Sequence, residues 1–221
     1  MQYFVGVLSG TSADAIDAAV IGFNKTRFKL IQTFQAPIQK QLQTEIRALM
    51  QPGENELQRM QQCDRNLGQA FATAALQAID SAGLSTAQIT AIGCHGQTIR
   101  HHPQQNPSYS CQIGDPNTIV ALTGITTVAD FRRGDLAHGG QGAPLTPAFH
   151  NYWLQQQSGN VAVVNLGGFC NVTLLPENRS NSLGFDTGPA NALLDAWYRK
   201  QCKTKKLITL DLMSNLLLWR I

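Results

Sequence analysis

The chain has 221 residues, 43% of them hydrophobic and 14% charged, a balance typical of a globular protein that argues against a long disordered block. The formal net charge is +3, and the basic residues are scattered apart from Lys203, Lys205 and Lys206, so no nucleic-acid partner is expected. No basic n-region precedes the short apolar run at residues 3–8, and no apolar run approaches membrane-spanning length. We therefore expect neither a signal peptide nor a membrane partner.

Cysteine usage indicates a reducing compartment. The five cysteines are odd in number and irregularly spaced, which fits neither a zinc site nor a disulfide framework. They are Cys63, Cys94, Cys111, Cys170 and Cys202. Reduced thiols and a cytoplasmic location are the expectation that follows.

The N-terminal segments predict a β-hairpin whose link resembles a phosphate-binding turn. Residues 3–8 and 17–23 are short apolar strands, and the polar residues 9–14 join them. Within this link, Gly10 permits close backbone approach, and Thr11 and Ser12 offer hydroxyl donors. Consecutive N–H groups in such a turn can surround an anion.

The acidic residues of this turn admit two interpretations. Asp14 and Asp17 would repel a bare phosphate, so a phosphate site needs a divalent cation with its water molecules between them. Alternatively, this is an ordinary Asx or Ser/Thr turn in which the side chains cap their own backbone. Neither a P-loop nor a G-x-G-x-x-G motif is present to decide between the two.

A third strand at residues 28–34 and two helices at residues 38–50 and 54–82 are predicted next. The longer helix carries an apolar face at three- and four-residue spacing, and Gly83 is well placed as its C-cap. The residues of this face are Leu57, Met60, Leu67, Phe71, Ala74, Ala75, Ala78 and Ile79. The pattern indicates core packing.

A buried strand is predicted at residues 89–94, and it delivers His95, Gly96, Gln97 and Thr98 at its C-terminal end. Open α/β sheets bind their ligands in the crevice outside the strand ends. Gln97 and Thr98 can both donate and accept hydrogen bonds, as a sugar requires. This segment is a candidate sugar site.

Two further histidines, His101 and His102, raise the alternative of a metal site. No carboxylate accompanies them at the spacing of a known helix-borne metal motif. A surface loop before Pro103 is the simpler interpretation of both residues.

A polar link divides the chain into two patterned halves. Before it lie a predicted strand at residues 109–113, a helix at 118–122 and a strand at 126–129. The glycine-rich residues 130–143 indicate a flexible domain boundary, and clefts between domains are favoured ligand sites. Arg132 could bind a carboxylate bidentately, although a structural ion pair with Asp130 or Asp135 explains it equally well.

The second half leads to a single candidate carboxylate. A helix at residues 147–157 and a hairpin of strands at 161–166 and 170–175 precede it. Asp186 then stands where a strand is predicted to end, just before a helix at residues 191–198. Its nine-residue neighbourhood alone favours a helix N-cap over catalysis.

Seven motifs occur in one order over roughly residues 2–200. They are Ser9-Gly10-Thr11-Ser12 with Asp14 and Asp17; His95-Gly96-Gln97-Thr98; Gln112-Ile113-Gly114-Asp115-Pro116-Asn117; Ala129-Asp130-Phe131-Arg132-Arg133; Gly139-Gly140-Gln141-Gly142-Ala143-Pro144; Asn165-Leu166-Gly167-Gly168; and Gly184-Phe185-Asp186-Thr187-Gly188-Pro189. Together they resemble the anhydro-N-acetylmuramic acid kinase family, which belongs to the actin, sugar-kinase and heat-shock chaperone fold class.

The resemblance implies an α/β, actin-like two-domain fold whose second domain is incomplete in this chain. It implies a first domain at residues 1–130, the beginning of a second at 131–200, and a tail outside the family pattern at 201–221. Family members tend to be dimers, so it also implies a homodimer.

The resemblance also implies an activity and its residues. Asp186 would be the base that activates water to attack the anomeric carbon of 1,6-anhydro-N-acetylmuramic acid. O6 would then take the γ-phosphate of ATP, giving N-acetylmuramic acid 6-phosphate for peptidoglycan recycling. His95, Gln97, Thr98 and Arg132 would face the sugar. ATP and Mg²⁺ would lie at the first turn, formed by Gly10, Thr11, Ser12, Ala13, Asp14, Ala15, Ile16 and Asp17, with no metal ligated by a dedicated protein site.

Three departures from the family pattern qualify these expectations. Ala15 and Ala190 stand where the family usually has glycine, and neither change removes a functional group. After Lys200 the family pattern stops, as at a truncated or out-of-frame end. We therefore expect a chain that keeps the base and the first phosphate turn but cannot complete an ATP site.

Two alternatives follow. One is a non-catalytic remnant that binds the anhydro sugar weakly at most, through residues 95–98. The other is an unrelated sugar or acetate kinase of the same fold, which the paired Asp186 and His95 motifs disfavour.

Overall fold

The structure is a computed structural model that describes residues 1–24, 27–202 and 217–220. The chain divides into two compact units, a first unit of Met1–Gly140 and a second unit of Gln141–Ile221. Both units combine helices with sheet, so the predicted α/β class is confirmed. Most of the predicted tail, residues 203–216 and 221, lies outside the described residues.

The first unit is built on a six-stranded sheet in the order β3-β2-β1-β4-β5, with β6 paired to β4. Its strands are β1 (Gln2–Ser9), β2 (Ala15–Asn24), β3 (Arg27–Pro37), β4 (Ile89–His102), β5 (Tyr109–Ile113) and β6 (Thr127–Ala129). β1 runs antiparallel to β2, as the predicted hairpin requires, and parallel to β4. The end of β1, where the turn to β2 begins, therefore lies beside the middle of β4.

The described residues of this unit form four α-helices, α1 (Lys40–Leu49), α2 (Glu56–Ser81), α3 (Pro116–Thr123) and α4 (Phe131–Ala137), and a short 3-10 helix at Thr86–Gln88. The predicted apolar face of α2 is buried from Leu67 to Ile79, and Phe71 is 0% exposed. Leu57, in the first turn of α2, is 71% exposed, so its assignment to the core was wrong. On the opposite side of the core, β2 alternates buried with partly exposed residues, the pattern of a strand with one face inward.

The second unit contains a four-stranded sheet in the order β10-β7-β8-β9. Its elements are α5 (Thr146–Trp153), β7 (Val161–Leu166), β8 (Phe169–Leu175), β9 (Leu183–Pro189), α6 (Asn191–Cys202) and β10 (Leu217–Arg220). The predicted hairpin of β7 and β8 around Gly167 and Gly168 is confirmed. The buried apolar cluster is small, consisting of Leu154, Val161, Val163 and Leu175.

The structure corrects the predicted end of β4. The strand continues past Cys94 to His102, because Gly96 takes a φ of +75° and the residues after it pair with β5. A Cβ at Gly96 would lie 2.7 Å from the Ile113 carbonyl oxygen, so this close pairing requires glycine. His101 and His102 accordingly lie on a paired strand, and the predicted surface loop was wrong for both.

Two further predictions were wrong for local reasons. The flexible link predicted from residue 130 begins with the helix α4, and positive-φ glycines occur only later, at Gly139 and Gly142. Asp186 lies inside β9 and not at a strand end, because pairing with β8 continues through Pro189. Asp186 is therefore not a helix N-cap.

In the part of the chain that the structure describes, no helix is both long enough and apolar enough to cross a membrane.

Candidate functional site

The turn between β1 and β2 is closed by its own side chains. The Ala13 N–H donates to the Gly10 carbonyl at 3.0 Å, and Ala13 takes a φ of +51°. Asp14 Oδ1 accepts from Ser12 Oγ at 2.5 Å and from the Ala15 N–H at 3.1 Å. The self-capping interpretation of this turn thus describes its geometry.

Two side chains of α1 fix the turn from outside. Arg47 Nη2 donates to the Ser12 carbonyl at 2.9 Å, and Gln43 Nε2 donates to the Ala13 carbonyl at 2.9 Å. Sequence reasoning missed both residues, since it predicted α1 without identifying the side chains that face the turn. The Arg47 guanidinium places a positive charge beside the turn, which suits an anion.

The eight residues predicted to hold ATP and Mg²⁺ do not lie in equivalent environments. Gly10, Thr11 and Ser12 are exposed, whereas Ala13 and Ile16 are buried in the core. Asp17, on β2, accepts from Gln35 Nε2 at 2.8 Å. The exposed glycine and hydroxyls beside Arg47 fit a polyphosphate.

His95 contacts Arg132 directly. Arg132 Nε donates to His95 Nε2 at 2.9 Å, and His95 Nδ1 lies 2.9 Å from the Gly96 carbonyl. Burial lowers the pKa of His95, the Gly96 carbonyl opposes that shift, and the Arg132 cation adds to it. The imidazole is therefore held in its neutral form.

Gln97, in the predicted sugar motif, forms a hydrogen bond with the residue that precedes the turn between β1 and β2. Its side chain is 0% exposed, and Oε1 accepts from Ser9 Oγ at 2.6 Å. Ser9 is the last residue of β1 and directly precedes Gly10. Gln97, on β4, thus holds in place the residue from which the turn begins.

Thr98 is tied to β5, because Gln112 Nε2 donates to Thr98 Oγ1 at 3.1 Å. The other amide atom, Gln112 Oε1, is buried and has no hydrogen-bond partner within the described residues. A buried carbonyl oxygen of this kind costs free energy until a donor reaches it.

A cavity of about 310 Å³ in the first unit is lined by His95 and Gln112, but not by Gln97, Thr98 or Arg132. Its polar lining includes Asp64, His95, Gln112, Asp115, Asp130 and Arg133. Burial raises the pKa of Asp64. The hydrogen bond from the Gly114 N–H to Asp64 Oδ1, at 2.7 Å, opposes that shift, and the negative charge of Asp115 adds to it. The cavity can therefore offer both hydrogen-bond donors and acceptors to a polar ligand.

The structure places Asp186 in the second unit, in a ladder of polar side chains across three strands. Asn165, Asn171 and Asp186 are register partners on β7, β8 and β9. Asn165 Nδ2 donates to Asn171 Oδ1 at 3.1 Å, and Asn171 Nδ2 donates to Asp186 Oδ1. The carboxylate is exposed but oriented by an amide. Sequence reasoning noted both asparagines beside the hairpin turn and missed their bond to Asp186.

Among residues 1–24, 27–202 and 217–220, no group of three His, Cys, Asp or Glu side chains is arranged to hold a metal ion.

Comparison with known proteins decides the family. The family model for anhydro-N-acetylmuramic acid kinase matches residues 2–207. The chain belongs to this family. The resemblance inferred from the motifs is confirmed, and the match extends a little beyond Lys200, where the sequence patterns end.

Curated anhydro-N-acetylmuramic acid kinases are similar over most of this chain. The protein of Shewanella woodyi is 46% identical over 199 residues, covering 90% of this chain and 54% of that relative. The protein of Coxiella burnetii is 50% identical over 197 residues, covering 89% of this chain and 52% of that relative. The chain thus spans about half the length of the curated kinases that it matches.

Two solved structures are distantly similar to this chain. The Aquifex aeolicus PPX-GPPA enzyme has a TM-score of 0.43 at 11% identity, with 90% of this chain and 56% of that chain covered. YeaZ from Pseudomonas aeruginosa has a TM-score of 0.29 at 11% identity, with 86% of this chain and 68% of that chain covered.

Proposed function

We propose that the protein catalyses ATP-dependent, hydrolytic opening of 1,6-anhydro-N-acetylmuramic acid and phosphorylation of its O6, in peptidoglycan recycling. The observation that carries this proposal is the match to the kinase family over residues 2–207, which includes every candidate site residue. ATP and the anhydro sugar are the proposed small-molecule partners, and a homodimer is the proposed assembly.

Under this proposal, Asp186 is the general base. A water molecule attacks the anomeric carbon and gives its proton to the carboxylate, the bond from that carbon to O6 breaks, and O6 takes the γ-phosphoryl group as ADP leaves. Because Asn171 engages Oδ1 of Asp186, Oδ2 is the oxygen that accepts the proton.

The first turn is the proposed site for ATP and Mg²⁺. Gly10, Thr11 and Ser12 would hold phosphate oxygens, and the Arg47 guanidinium supports that role by its position beside Ser12. Magnesium, when bound with the nucleotide, neutralises charge that Asp14 and Asp17 would otherwise repel.

His95, Gln97, Thr98 and Arg132 are the proposed sugar-site residues. His95 lines a cavity of about 310 Å³ whose mixed donors and acceptors match hydroxyl and amide groups, which supports its assignment. The assignment of Gln97, Thr98 and Arg132 rests on the family motifs alone. We also propose a cytoplasmic location. In support, Cys63, Cys94, Cys111 and Cys170 are free thiols.

An assay of the 221-residue chain with ATP, Mg²⁺ and the anhydro sugar tests the proposal, with mass spectrometry to detect the 6-phosphate. Asp186→Asn should lower the rate about 10²- to 10⁴-fold, the usual contribution of general-base catalysis. Asp80→Asn, which changes an exposed carboxylate on α2, is the matched control and should leave the rate unchanged. Equal rates for Asp186→Asn and the unchanged chain would refute the role of Asp186.

The alternative is a non-catalytic remnant that binds the anhydro sugar weakly at most. The observation that favours it is coverage of only about half of each curated relative. Calorimetry separates the two proposals, because only the kinase should show magnesium-dependent ATP binding. Sugar binding without nucleotide binding would support the remnant.

A further inference from the structure

We propose that Arg47 is a phosphate-binding residue: one edge of its guanidinium holds the turn between β1 and β2, and the other edge binds two oxygens of a polyphosphate. This inference rests on the proposed function, because it adds a residue to the ATP site proposed at that turn. It is carried by the geometry of the bonds from Arg47 to the Ser12 carbonyl.

Arg47 reaches the turn from α1, together with a neutral side chain. Gln43 lies one helical turn before Arg47, so the two side chains project from the same face of the helix. Gln43 Nε2 donates to the Ala13 carbonyl at 2.9 Å, and Arg47 donates to the preceding carbonyl, that of Ser12. One face of α1 therefore fixes two consecutive peptide groups of the turn.

The guanidinium uses only one of its edges for this purpose. Nε and Nη2 donate to the same Ser12 oxygen, at 3.3 Å and 2.9 Å. A guanidinium carries five N–H groups, so both N–H groups of Nη1 and the second one of Nη2 remain. Within the part of the chain that the structure describes, the Arg47 side chain makes no other hydrogen bond and no ion pair. The edge between Nη1 and Nη2 can therefore bind a phosphate bidentately.

The carboxylates of the turn have other partners. Asp14 Oδ1 accepts from Ser12 Oγ at 2.5 Å, and Asp17 Oδ1 accepts from Gln35 Nε2 at 2.8 Å. Among the described residues, neither carboxylate forms an ion pair with Arg47. The positive charge of Arg47 is therefore left to attract an anion, and it opposes the repulsion that the two carboxylates exert on a polyphosphate.

Holding a carbonyl of the turn does not require this charge. The neutral amide of Gln43 holds the Ala13 carbonyl at the same distance at which Arg47 Nη2 holds that of Ser12. Arginine adds a permanent positive charge and a second pair of donors, beside the exposed residues 10–12. A polyphosphate is the ligand that uses both.

Calorimetry of the full chain with inorganic tripolyphosphate and Mg²⁺, without sugar, tests the role of Arg47. Arg47→Gln should weaken binding about tenfold or more, because a charge-assisted pair of hydrogen bonds is lost. Arg47→Lys should have an intermediate affinity, since lysine keeps the charge and loses the planar pair of donors. Equal affinities for Arg47→Gln and the unchanged chain would overturn the proposal.

Two controls separate the charge from the structure of the turn. Gln43→Leu removes the neutral bond to the Ala13 carbonyl and changes no charge, so it should weaken binding less than about threefold. Arg59→Gln removes a positive charge that pairs with Glu45 between α1 and α2, and it should leave the affinity unchanged. If Gln43→Leu weakens binding as much as Arg47→Gln does, Arg47 acts only by holding the turn, and the proposal is wrong.

Nitrogen-15 NMR of the arginine side chains shows whether the contact is direct. On addition of tripolyphosphate, the Nη resonances of Arg47 should shift, and their N–H groups should exchange more slowly with solvent. The Nε resonance should change less, because Nε keeps its bond to Ser12. Nη resonances that tripolyphosphate leaves unaltered would contradict a direct contact.

The kinase assay keeps this inference distinct from the proposed function. If the chain binds tripolyphosphate through Arg47 but does not phosphorylate the anhydro sugar, the proposed function fails and the role of Arg47 stands. If the chain phosphorylates the sugar and Arg47→Gln leaves the KM for ATP unchanged, the proposed function stands and the role of Arg47 is overturned. If the unchanged chain binds no tripolyphosphate, the turn is not a phosphate site, and the role of Arg47 is overturned with it.

Discussion

The two units hold their candidate residues in opposite ways. In the first unit, Gln97 is 0% exposed and His95 is partly buried, and each hydrogen-bonds to a residue on another element. In the second unit, Asp186 is exposed on β9, and Asn171 on the neighbouring strand orients it. Substitutions should therefore affect folding mainly in the first unit and chemistry mainly in the second.

The difference follows from the cores beneath the two sets of residues. The first unit buries a continuous apolar cluster that includes the inner face of α2 and alternate residues of β1, β2 and β4. Among the described residues of the second unit, the buried apolar cluster consists of Leu154, Val161, Val163 and Leu175. Several large side chains of this unit are exposed, among them Phe169 at 54% and Trp197 at 64%. A small core resists local rearrangement less than a large one does.

The largest effect is expected from truncation of Phe71, the largest fully buried side chain of the first unit. Phe71→Ala should lower the free energy of unfolding by about 3–5 kcal/mol, because it removes buried apolar surface and leaves a cavity. Phe169→Ala in the second unit is the matched control and should change stability by less than about 1 kcal/mol, because its ring is mostly in solvent.

Urea denaturation can assign each of these effects to a unit. Far-UV circular dichroism reports on all helices, and the 26-residue α2 of the first unit is the longest of those described. All three tryptophans of the sequence lie in the second unit and report on its unfolding. Equal losses for the two phenylalanine variants would contradict the proposed contrast between the cores.

The next effect concerns the bond between Gln97 and Ser9. Gln97→Leu should cost about 1–3 kcal/mol, because the buried Ser9 hydroxyl loses its acceptor. The double variant Ser9→Ala with Gln97→Leu should recover part of that loss, since neither partner is then left unsatisfied. Strictly additive losses in urea denaturation would show that the bond does not stabilise the chain.

Local patterns were sufficient to predict several elements of each unit. The hairpin of β1 and β2 followed from two apolar segments around a polar turn, and the buried face of α2 followed from its helical spacing. The hairpin of β7 and β8 followed in the same way. In each of these cases, neighbouring residues carry the information.

Long-range pairing accounts for what the sequence did not predict. The predicted strand ended at residue 94, before Gly96. In the structure, pairing with β5 extends β4 through Gly96 to His102. The contacts of Arg47 with Ser12 and of Asn171 with Asp186 join residues on separate elements. No local pattern encodes such contacts, although the motifs did identify the residues that take part in several of them.

A smaller effect is expected at Asn171. Asn171→Leu should change the free energy of unfolding by no more than about 1 kcal/mol, because the bond to Asp186 is exposed to solvent. If Asp186 is the base, the same variant should lower kcat more than it changes KM, since the carboxylate loses its orientation. Asn165→Leu, one strand further away, should have a weaker effect on kcat. A variant that lowers stability strongly and leaves kcat unchanged would reverse the contrast between the units.

The smallest effect compares the partly buried His95 of the first unit with the buried His150 of the second. Burial lowers the pKa of both, with Arg132 adding to the shift of His95. Below the unfolded-state pKa of about 6.5, the unfolded chain binds more protons than the folded chain, so stability should fall as the pH decreases from 7 towards 5.

Replacing either histidine with glutamine should flatten this dependence in the unit that contains it. Tryptophan fluorescence should therefore detect the weaker pH dependence of His150→Gln. Far-UV circular dichroism, to which the long helix α2 contributes, should detect that of His95→Gln. A pH dependence that both variants leave unaltered would show that neither histidine governs acid unfolding. Because burial raises the pKa of Asp64, its own contribution has the opposite sign and would increase stability as the pH falls through the carboxyl range.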